Sequence, residues 1–142
     1  MKIPKVVIDT NVFVSAVLQK GSSTKVLDKW KEDKFVLLIS PGIFDEYFEV
    51  IARPRFNQSE ADIRELVELL TEKAVAVEPR ISLNVVKGDP DDNKFLECAI
   101  SGEADFVVSG DRHLLDIEKY QGIEILKIAE FILKIGNQAE DI

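Results

Sequence analysis

The stretch Val6–Asn11, which reads Val-Val-Ile-Asp-Thr-Asn, decides the fold prediction for this chain. Three consecutive apolar residues that favour β-structure are typical of a strand buried in a parallel sheet. The strand ends at Asp9, which two small polar residues follow. In an open parallel α/β sheet, ligands bind outside the carboxyl ends of the strands. We therefore expect Asp9 to lie in a ligand-binding crevice.

Short apolar runs alternate with segments of helical periodicity along the rest of the chain. This alternation predicts an α/β fold with a mainly parallel sheet. We expect one domain over residues 1–142, with a frayed tail from residue 136. Strands are predicted at 6–8, 35–39, 74–77, 106–108 and 123–126, and helices at 12–18, 24–32, 41–52, from 59 to about 73, 91–101 and 128–135.

The composition is that of a globular protein, with 46% hydrophobic and 31% charged residues. The longest apolar runs, such as residues 36–39, are far too short to span a bilayer. No charged-then-apolar signal segment opens the sequence, so we expect a cytoplasmic protein with no membrane partner. The single cysteine, Cys98, excludes an internal disulfide.

The chain is acidic, with 18 basic and 26 acidic residues and a net charge of -8. Nonspecific attraction to nucleic acid usually requires a basic face, so this balance argues against it. It does not exclude a nucleic-acid enzyme whose acidic centre is filled by cations. The net charge therefore constrains the mechanism more than it constrains the substrate.

Asp111 repeats the feature seen at Asp9, because it follows the apolar run 106–108 after Ser109 and Gly110. Both aspartates should therefore reach the same edge of the sheet. An aspartate after a strand also often caps the next helix. For each residue alone, the capping role and the crevice role stay open.

For Asp92, the sequence gives a stronger reason than for Asp9 or Asp111 to expect a functional role. Phe95, Leu96 and Ala99 follow it at three, four and seven positions, which places Asp92 on the core-facing stripe of its helix. A carboxylate that points inward without a partner costs several kcal/mol. Something must therefore neutralise it or hydrogen-bond to it. The alternative is that Asp92 only favours the positive end of the helix dipole.

Glu46 borders the apolar arc of the helix that begins after Ser40, three residues after Ile43 and four before Val50. A solvated surface glutamate is the alternative for this residue. If Glu46 joins the three aspartates, repulsion would raise some of their pKa values unless a cation is bound. Oxygen ligands suit Mg²⁺ or Mn²⁺, and one histidine and one cysteine cannot form a zinc set. Such a site suits phosphodiester hydrolysis, in which one ion lowers the pKa of the attacking water and a second offsets charge on the leaving oxygen.

Four segments of the sequence together resemble the PIN domain family, over nearly the whole chain. The resemblance is closest to the toxins of prokaryotic toxin–antitoxin systems, the VapC-like branch. It implies a three-layer α/β/α sandwich with a mainly parallel central sheet, and a metal-dependent ribonuclease. The segments are Val7–Asn11, the helix that contains Glu46, Asp92–Ala99 and Val108–Arg112.

Carried over by position, the resemblance assigns the catalytic, metal-binding quartet to Asp9, Glu46, Asp92 and Asp111. Relatives in the toxin branch pair with a small antitoxin protein, and PIN domains often form homodimers. The shorter toxins commonly have asparagine where Asp111 stands, and a second acid where this chain has Leu114. Asp111 is therefore the expected fourth acid. Asn11 and Ser109 match the usual polar positions of the family.

The sequence thus predicts an endoribonuclease that uses one or two Mg²⁺ (or Mn²⁺) ions. Four basic residues are candidate contacts for the RNA phosphates, and His113 is predicted to be loop structure or to lie beside the substrate. Two alternatives stay open: a PIN-like binding or regulatory protein without turnover, and a housekeeping RNA-processing nuclease. The candidate phosphate contacts are Arg53, Arg55, Lys94 and Arg112.

Overall fold

A computed structural model of the chain describes residues 2–19 and 21–140, and only the backbone for residues 137–140. The five predicted strands and six predicted helices occur in the predicted order, and the structure adds one short helix and one short strand between residues 112 and 120. The strands are β1 (Lys5–Ile8), β2 (Val36–Ile39), β3 (Val75–Ala76), β4 (Phe106–Val108), β5 (Lys119–Tyr120) and β6 (Ile123–Leu126). The helices are α1 (Thr10–Val17), α2 (Ser23–Lys31), α3 (Pro41–Ile51), α4 (Glu60–Lys73), α5 (Asn93–Ser101), α6 (Arg112–Leu115) and α7 (Ile128–Glu140), with 3₁₀ turns at Pro54–Phe56 and Pro90–Asp92.

The strands form a six-stranded sheet in the order β3-β2-β1-β4-β6-β5. β1 lies in the middle and pairs in parallel with β2 on one side and β4 on the other. Residues 6–8 of β1 are fully or almost fully buried, so helices must cover both faces of the sheet. Only the pair formed by β5 and β6 is antiparallel. The predicted α/β/α sandwich with a mainly parallel sheet is confirmed.

The direction of the chain across the sheet reverses at β1. From β1 the chain moves outward to β2 and β3, and β4 then returns to the opposite side of β1. In parallel α/β sheets, such a reversal leaves a crevice at the carboxyl ends of the two central strands. Asp9 directly follows β1, and Asp111 follows β4. The topology therefore brings together two acids that lie far apart in the sequence.

Several boundaries differ from the sequence prediction. Helix α1 begins at Thr10, two residues before its predicted start, and Asp9 is its N-cap. The predicted helix at 91–101 begins as a 3₁₀ turn and becomes α-helical at Asn93. Helix α7 continues beyond its predicted end at Ile135 through residues expected to fray, while residues 141 and 142 lie outside the described part. The assignment of a single domain stays a prediction.

Tyr47 connects helix α3 to the central strand. Its side chain is completely buried, and its ring stacks on that of Phe13 with 4.0 Å between the ring centroids. The Tyr47 hydroxyl donates a hydrogen bond to the backbone oxygen of Ile8, at 2.5 Å. Ile8 is the residue before Asp9, so Tyr47 fixes the end of β1 from which that carboxylate projects.

Replacing Tyr47 with phenylalanine should lower the free energy of unfolding by about 1–2 kcal/mol, because the buried Ile8 oxygen loses its side-chain donor. Urea denaturation of the purified protein measures this change. Tyr120→Phe, on the edge strand β5, is the matched control and should change stability by less than about 0.5 kcal/mol. Equal losses in the two variants would contradict the role assigned to the Tyr47 hydroxyl.

Candidate functional site

An open cleft of about 340 Å³ lies at the carboxyl ends of β1 and β4. Carboxylates form most of its polar lining, and Asn11 also faces it. The cleft brings together all four acids of the predicted quartet, which come from the end of β1, helix α3, the turn before α5 and the loop after β4. These acids are Asp9, Glu46, Asp92 and Asp111.

The Asp9 side chain is only 5% exposed and is held by three donors. Its Oδ1 accepts a hydrogen bond from the Val12 backbone N–H at 2.9 Å, which caps helix α1. Its Oδ2 accepts from the Ser109 hydroxyl and from the Gly110 backbone N–H, the latter at 3.2 Å. Burial raises the pKa of Asp9, although these hydrogen bonds oppose the increase. Asp9 therefore combines the two roles that the sequence left open, because each carboxylate oxygen serves one neighbouring element.

Asp111 is also both a helix cap and part of the cleft. Its Oδ1 accepts a hydrogen bond from the His113 backbone N–H at 2.8 Å, and its own N–H donates to the Ser109 hydroxyl oxygen at 2.9 Å. The Ser109 hydroxyl therefore connects Asp111 to Asp9. Partial burial raises the pKa of Asp111, but hydrogen bonds from the Asp92 carboxyl and the His113 N–H outweigh this effect and lower it.

Asp92 differs from Asp9 and Glu46 in that one of its carboxylate oxygens has no partner in the described part of the chain. Its Oδ2 atom is buried and has no hydrogen-bond partner among the residues that the structure describes. Burial is the main cause that raises the pKa of Asp92 to about 8, and a hydrogen bond from its protonated form to Asp111 and repulsion from the nearby Asp89, Asp111 and Asp9 carboxylates contribute to this value. The sequence predicted an inward-pointing carboxylate at this position. The structure provides no internal cation for it.

Glu46 differs from the three aspartates because it already has a cationic partner. Its Oε1 lies 2.5 Å from the Lys94 Nζ, and its Oε2 accepts a hydrogen bond from the Thr10 hydroxyl. Lys94 also contacts the Asp91 Oδ2 at 3.0 Å. The ammonium of Lys94, which the sequence suggested as a phosphate contact, is thus held between two carboxylates. Sequence reasoning did not single out Thr10.

Asp89 and His113 extend the acidic cluster on one side. One potential ligand atom from each of Asp89, Asp111 and His113 lies within 4.8 Å of the others, so these three residues could hold a cation together. The backbone passes close to the imidazole here, because a Cβ built on Gly88 would lie 2.4 Å from the His113 Cδ2. A larger residue at position 88 would therefore force the exposed His113 side chain to move. Asp89 precedes the 3₁₀ turn at Pro90–Asp92, and its side chain makes no cap hydrogen bond there.

Asn93 fixes the loop that carries Asp89. Its buried side-chain oxygen accepts hydrogen bonds from the N–H groups of Val85 and Val86, each at 2.9 Å. Its amide donates to the Pro90 backbone oxygen at 2.8 Å. The only sequence signal for this role was a polar residue beside Asp92 at a position that proves to be buried.

Of the other candidate phosphate contacts, Arg53 belongs to the cleft lining, whereas Arg55 and Arg112 do not. Arg53 lines the cleft and forms an ion pair with Glu49 at 3.0 Å. The Arg55 guanidinium lies 4.8 Å from the centre of the Phe56 ring. Arg112 is exposed in the first turn of α6. Their contact with RNA stays a prediction.

Comparisons with known proteins agree with this architecture. The family model of the PIN domain matches residues 5–113. An uncharacterised protein of Methanocaldococcus jannaschii, MJ1680, is 33% identical over 140 residues, which cover 96% of this chain and 88% of that protein.

Two solved structures share the fold at low sequence identity. PAE2754 from Pyrobaculum aerophilum has a TM-score of 0.62 and 15% identity, and the match covers 96% of this chain and 92% of that one. VapBC2 from Rickettsia felis, solved bound to a DNA fragment from their promoter, has a TM-score of 0.57 and 14% identity. That match covers 87% of this chain and 98% of the other.

The free energy of unfolding of the metal-free protein should fall as the pH rises from the ordinary pKa of an aspartate, 3.8, to the pKa of folded Asp92, about 8. The carboxyl titrates at about 8 when folded, against an ordinary value of 3.8, so the folded state keeps a proton that the unfolded chain releases. A state that binds more protons loses relative stability as pH increases. Asp9, whose pKa burial also raises, adds to this trend, and Asp111 opposes it.

Urea denaturation at several pH values, with a chelator present, measures this slope. Asp92→Asn should flatten it and should make the protein more stable than the wild type at the upper end of this pH range. Asp45→Asn, at an exposed position of the same helix as Glu46, is the control and should keep the wild-type slope. A wild-type slope in Asp92→Asn would show that Asp92 does not carry the proton.

Proposed function

Because this chain belongs to the PIN domain family, whose members are generally nucleases, we propose that it is a metal-dependent endoribonuclease. In this proposal it hydrolyses phosphodiester bonds of single-stranded or loop RNA and leaves a 3′-hydroxyl and a 5′-phosphate. Mg²⁺ or Mn²⁺ is the proposed cofactor.

The observation that carries the proposal is the buried Oδ2 atom of Asp92. A buried polar atom without a partner is destabilising, and a buried carboxylate without a cation is more so. Asp9 and Asp111 lie beside Asp92, and all three present only oxygen ligands. Hard divalent cations prefer such donors. The residues of the cleft therefore fit a divalent cation.

In this proposal Asp9, Asp92 and Asp111 hold the cation, and Glu46 borders the site. When bound, the cation would lower the pKa of a water molecule and offset negative charge on the scissile phosphate. Ser109 would keep Asp9 and Asp111 at a fixed separation through its two hydrogen bonds. Asn11, at the cleft surface, would orient the substrate or a ligand.

Two basic side chains, one in the cleft lining and one next to Asp111 in the sequence, support the assignment of an RNA substrate. Arg53 lines the cleft, and Arg112 is exposed beside Asp111. Arginine offers several N–H donors in a planar arrangement that matches phosphate oxygens. In the proposal these residues contact phosphates on either side of the scissile bond, while the cation neutralises the acidic centre of a chain whose net charge is -8.

We further propose that the protein is the toxin of a toxin–antitoxin pair and that it binds a small antitoxin protein. The likeness to the chain from the VapBC2 complex of Rickettsia felis supports this context. The proposed homodimer is a separate prediction. None of the helices in the described residues is both long enough and apolar enough to cross a membrane.

Asp9→Asn should reduce RNA cleavage by more than about 100-fold, since the loss of even an outer partner of a metal ligand typically costs 10–100-fold. The asparagine side-chain oxygen can still accept the Val12 N–H, so the fold should be retained. Cleavage of an end-labelled single-stranded RNA with Mn²⁺ measures the rate, and circular dichroism checks the fold. A folded Asp9→Asn protein that cleaves at the wild-type rate would refute the assignment of Asp9.

Alanine substitutions at Glu46 and Glu49 should distinguish the two glutamates of α3 that line the cleft. Glu46→Ala should lower the cleavage rate at least about tenfold, because it removes a carboxylate that borders the site and frees Lys94 to pair with the other acids. Glu49→Ala should cleave at close to the wild-type rate, because Glu49 pairs with Arg53 in an exposed salt bridge. The same RNA assay measures both variants, and equal losses would contradict this distinction.

A further inference from the structure

The environment of Lys94 distinguishes one member of the acidic quartet from the other three. Lys94 lies in the first turn of α5, two residues after Asp92. Its side chain is 19% exposed, and that of Glu46 is 24% exposed, so water screens this pair only partly. The aliphatic part of Lys94 passes over the start of α3, where its Cδ would lie 4.0 Å from a Cβ built on Gly42. The Lys94 ammonium is thus directed into the acidic cluster.

Both oxygens of Glu46 have partners inside the protein. Oε1 contacts the Lys94 ammonium at 2.5 Å, and Oε2 accepts the Thr10 hydroxyl. Asp91 makes a second contact with Lys94 at 3.0 Å but is itself 78% exposed. The charge of Glu46 is therefore offset before any metal ion is bound.

The three aspartates have no equivalent partner. In the part of the chain that the structure describes, no lysine or arginine forms an ion pair with Asp9, Asp92 or Asp111. Asp111 has only His113 at 3.3 Å, which is a charged partner only when the imidazole is protonated. Within the quartet, the negative charge without an internal cation is thus concentrated on these aspartates. Asp89, which also lines the cleft, likewise has no lysine or arginine partner among the described residues.

We propose that the Lys94 ammonium takes the position of a second cation in this cleft, so that the quartet binds one divalent ion and not two. Asp9, Asp92 and Asp111 form the metal-binding group, while Lys94 neutralises Glu46 and positions it. Lys94 is then a positioning residue and not a free phosphate contact. This inference rests on the proposed metal-dependent function and specifies the cation content of the same site.

The first experiment counts Mn²⁺ ions bound to the purified full-length chain, by isothermal titration calorimetry and by electron paramagnetic resonance of free Mn²⁺. The wild type should bind one ion. Lys94→Met keeps an apolar stem but frees Glu46 and Asp91, so it should bind two ions. Lys94→Arg keeps the positive charge and should bind one. The double variant Lys94→Met/Glu46→Gln should return to one ion because the vacated site has lost a ligand.

Lys134→Met is the matched control. Lys134 pairs with Glu124 at 2.8 Å, on α7 and β6, and neither residue lines the acidic cleft. This variant should bind one ion. Two ions in the wild type, or one ion in a folded Lys94→Met protein, would overturn the inference and leave the metal-dependent nuclease standing. No bound Mn²⁺ in the wild type would instead overturn the proposed metal dependence, and the inference with it.

A second measurement works without metal and protects the test against a variant that folds poorly. Melting temperatures of the wild type, Lys94→Met, Glu46→Gln and the double variant are compared in the presence of a chelator. If Lys94 neutralises Glu46, the loss in the double variant should be clearly smaller than the sum of the two single losses. Additive losses would overturn the pairing on which the inference depends.

Discussion

The burial of the Asp9 carboxylate is the constraint on which the rest of the site depends. A charge at the end of a central strand is tolerated only when its oxygens are satisfied. Asp9 meets this requirement with the first turn of α1 on one oxygen and the loop after β4 on the other. These hydrogen bonds join β1, α1 and β4 at one point. The arrangement that makes Asp9 stable therefore also sets the edge of the cleft.

The strand order explains why a short protein can gather acids from distant parts of its sequence. β1 lies between strands that the chain visits early and late, so the loops after β1 and β4 are neighbours. Helix α3 and the turn before α5 reach the same edge and contribute the other two acids. Each acid comes from a separate segment of the chain, and the fold brings these segments to one edge of the sheet.

The sequence was informative where a local pattern decides the outcome. The apolar run before Asp9 identified the central strand, and the spacing after Asp92 identified an inward-pointing carboxylate. The capping question at Asp9 and Asp111 could not be resolved from the sequence, because a carboxylate has two oxygens and the two roles are compatible. Helical periodicity indicates on which face of a helix a side chain lies, but it does not indicate which hydrogen bonds the oxygens of that side chain accept.

Tertiary contacts between residues that are distant in the sequence could not be predicted from local patterns. The pair formed by Lys94 and Glu46 joins two helices, and no local pattern connects the two residues. Asn93 was unremarkable by type, and only its burial shows that it fixes the preceding loop. The short edge strand β5 was missed because two residues are too few to show alternation.

The double use of Asp9 has a consequence for the divergence of this family. A descendant that lost its catalytic activity would still need an acceptor at this position to begin α1 and to hold the loop after β4. Selection for folding alone would therefore preserve an acceptor, aspartate or asparagine, at position 9. Asp92 has no such protection, because its buried oxygen has no internal partner and an apolar replacement would relieve repulsion. Among related proteins, retention of Asp92 is thus a better marker of catalytic activity than retention of Asp9.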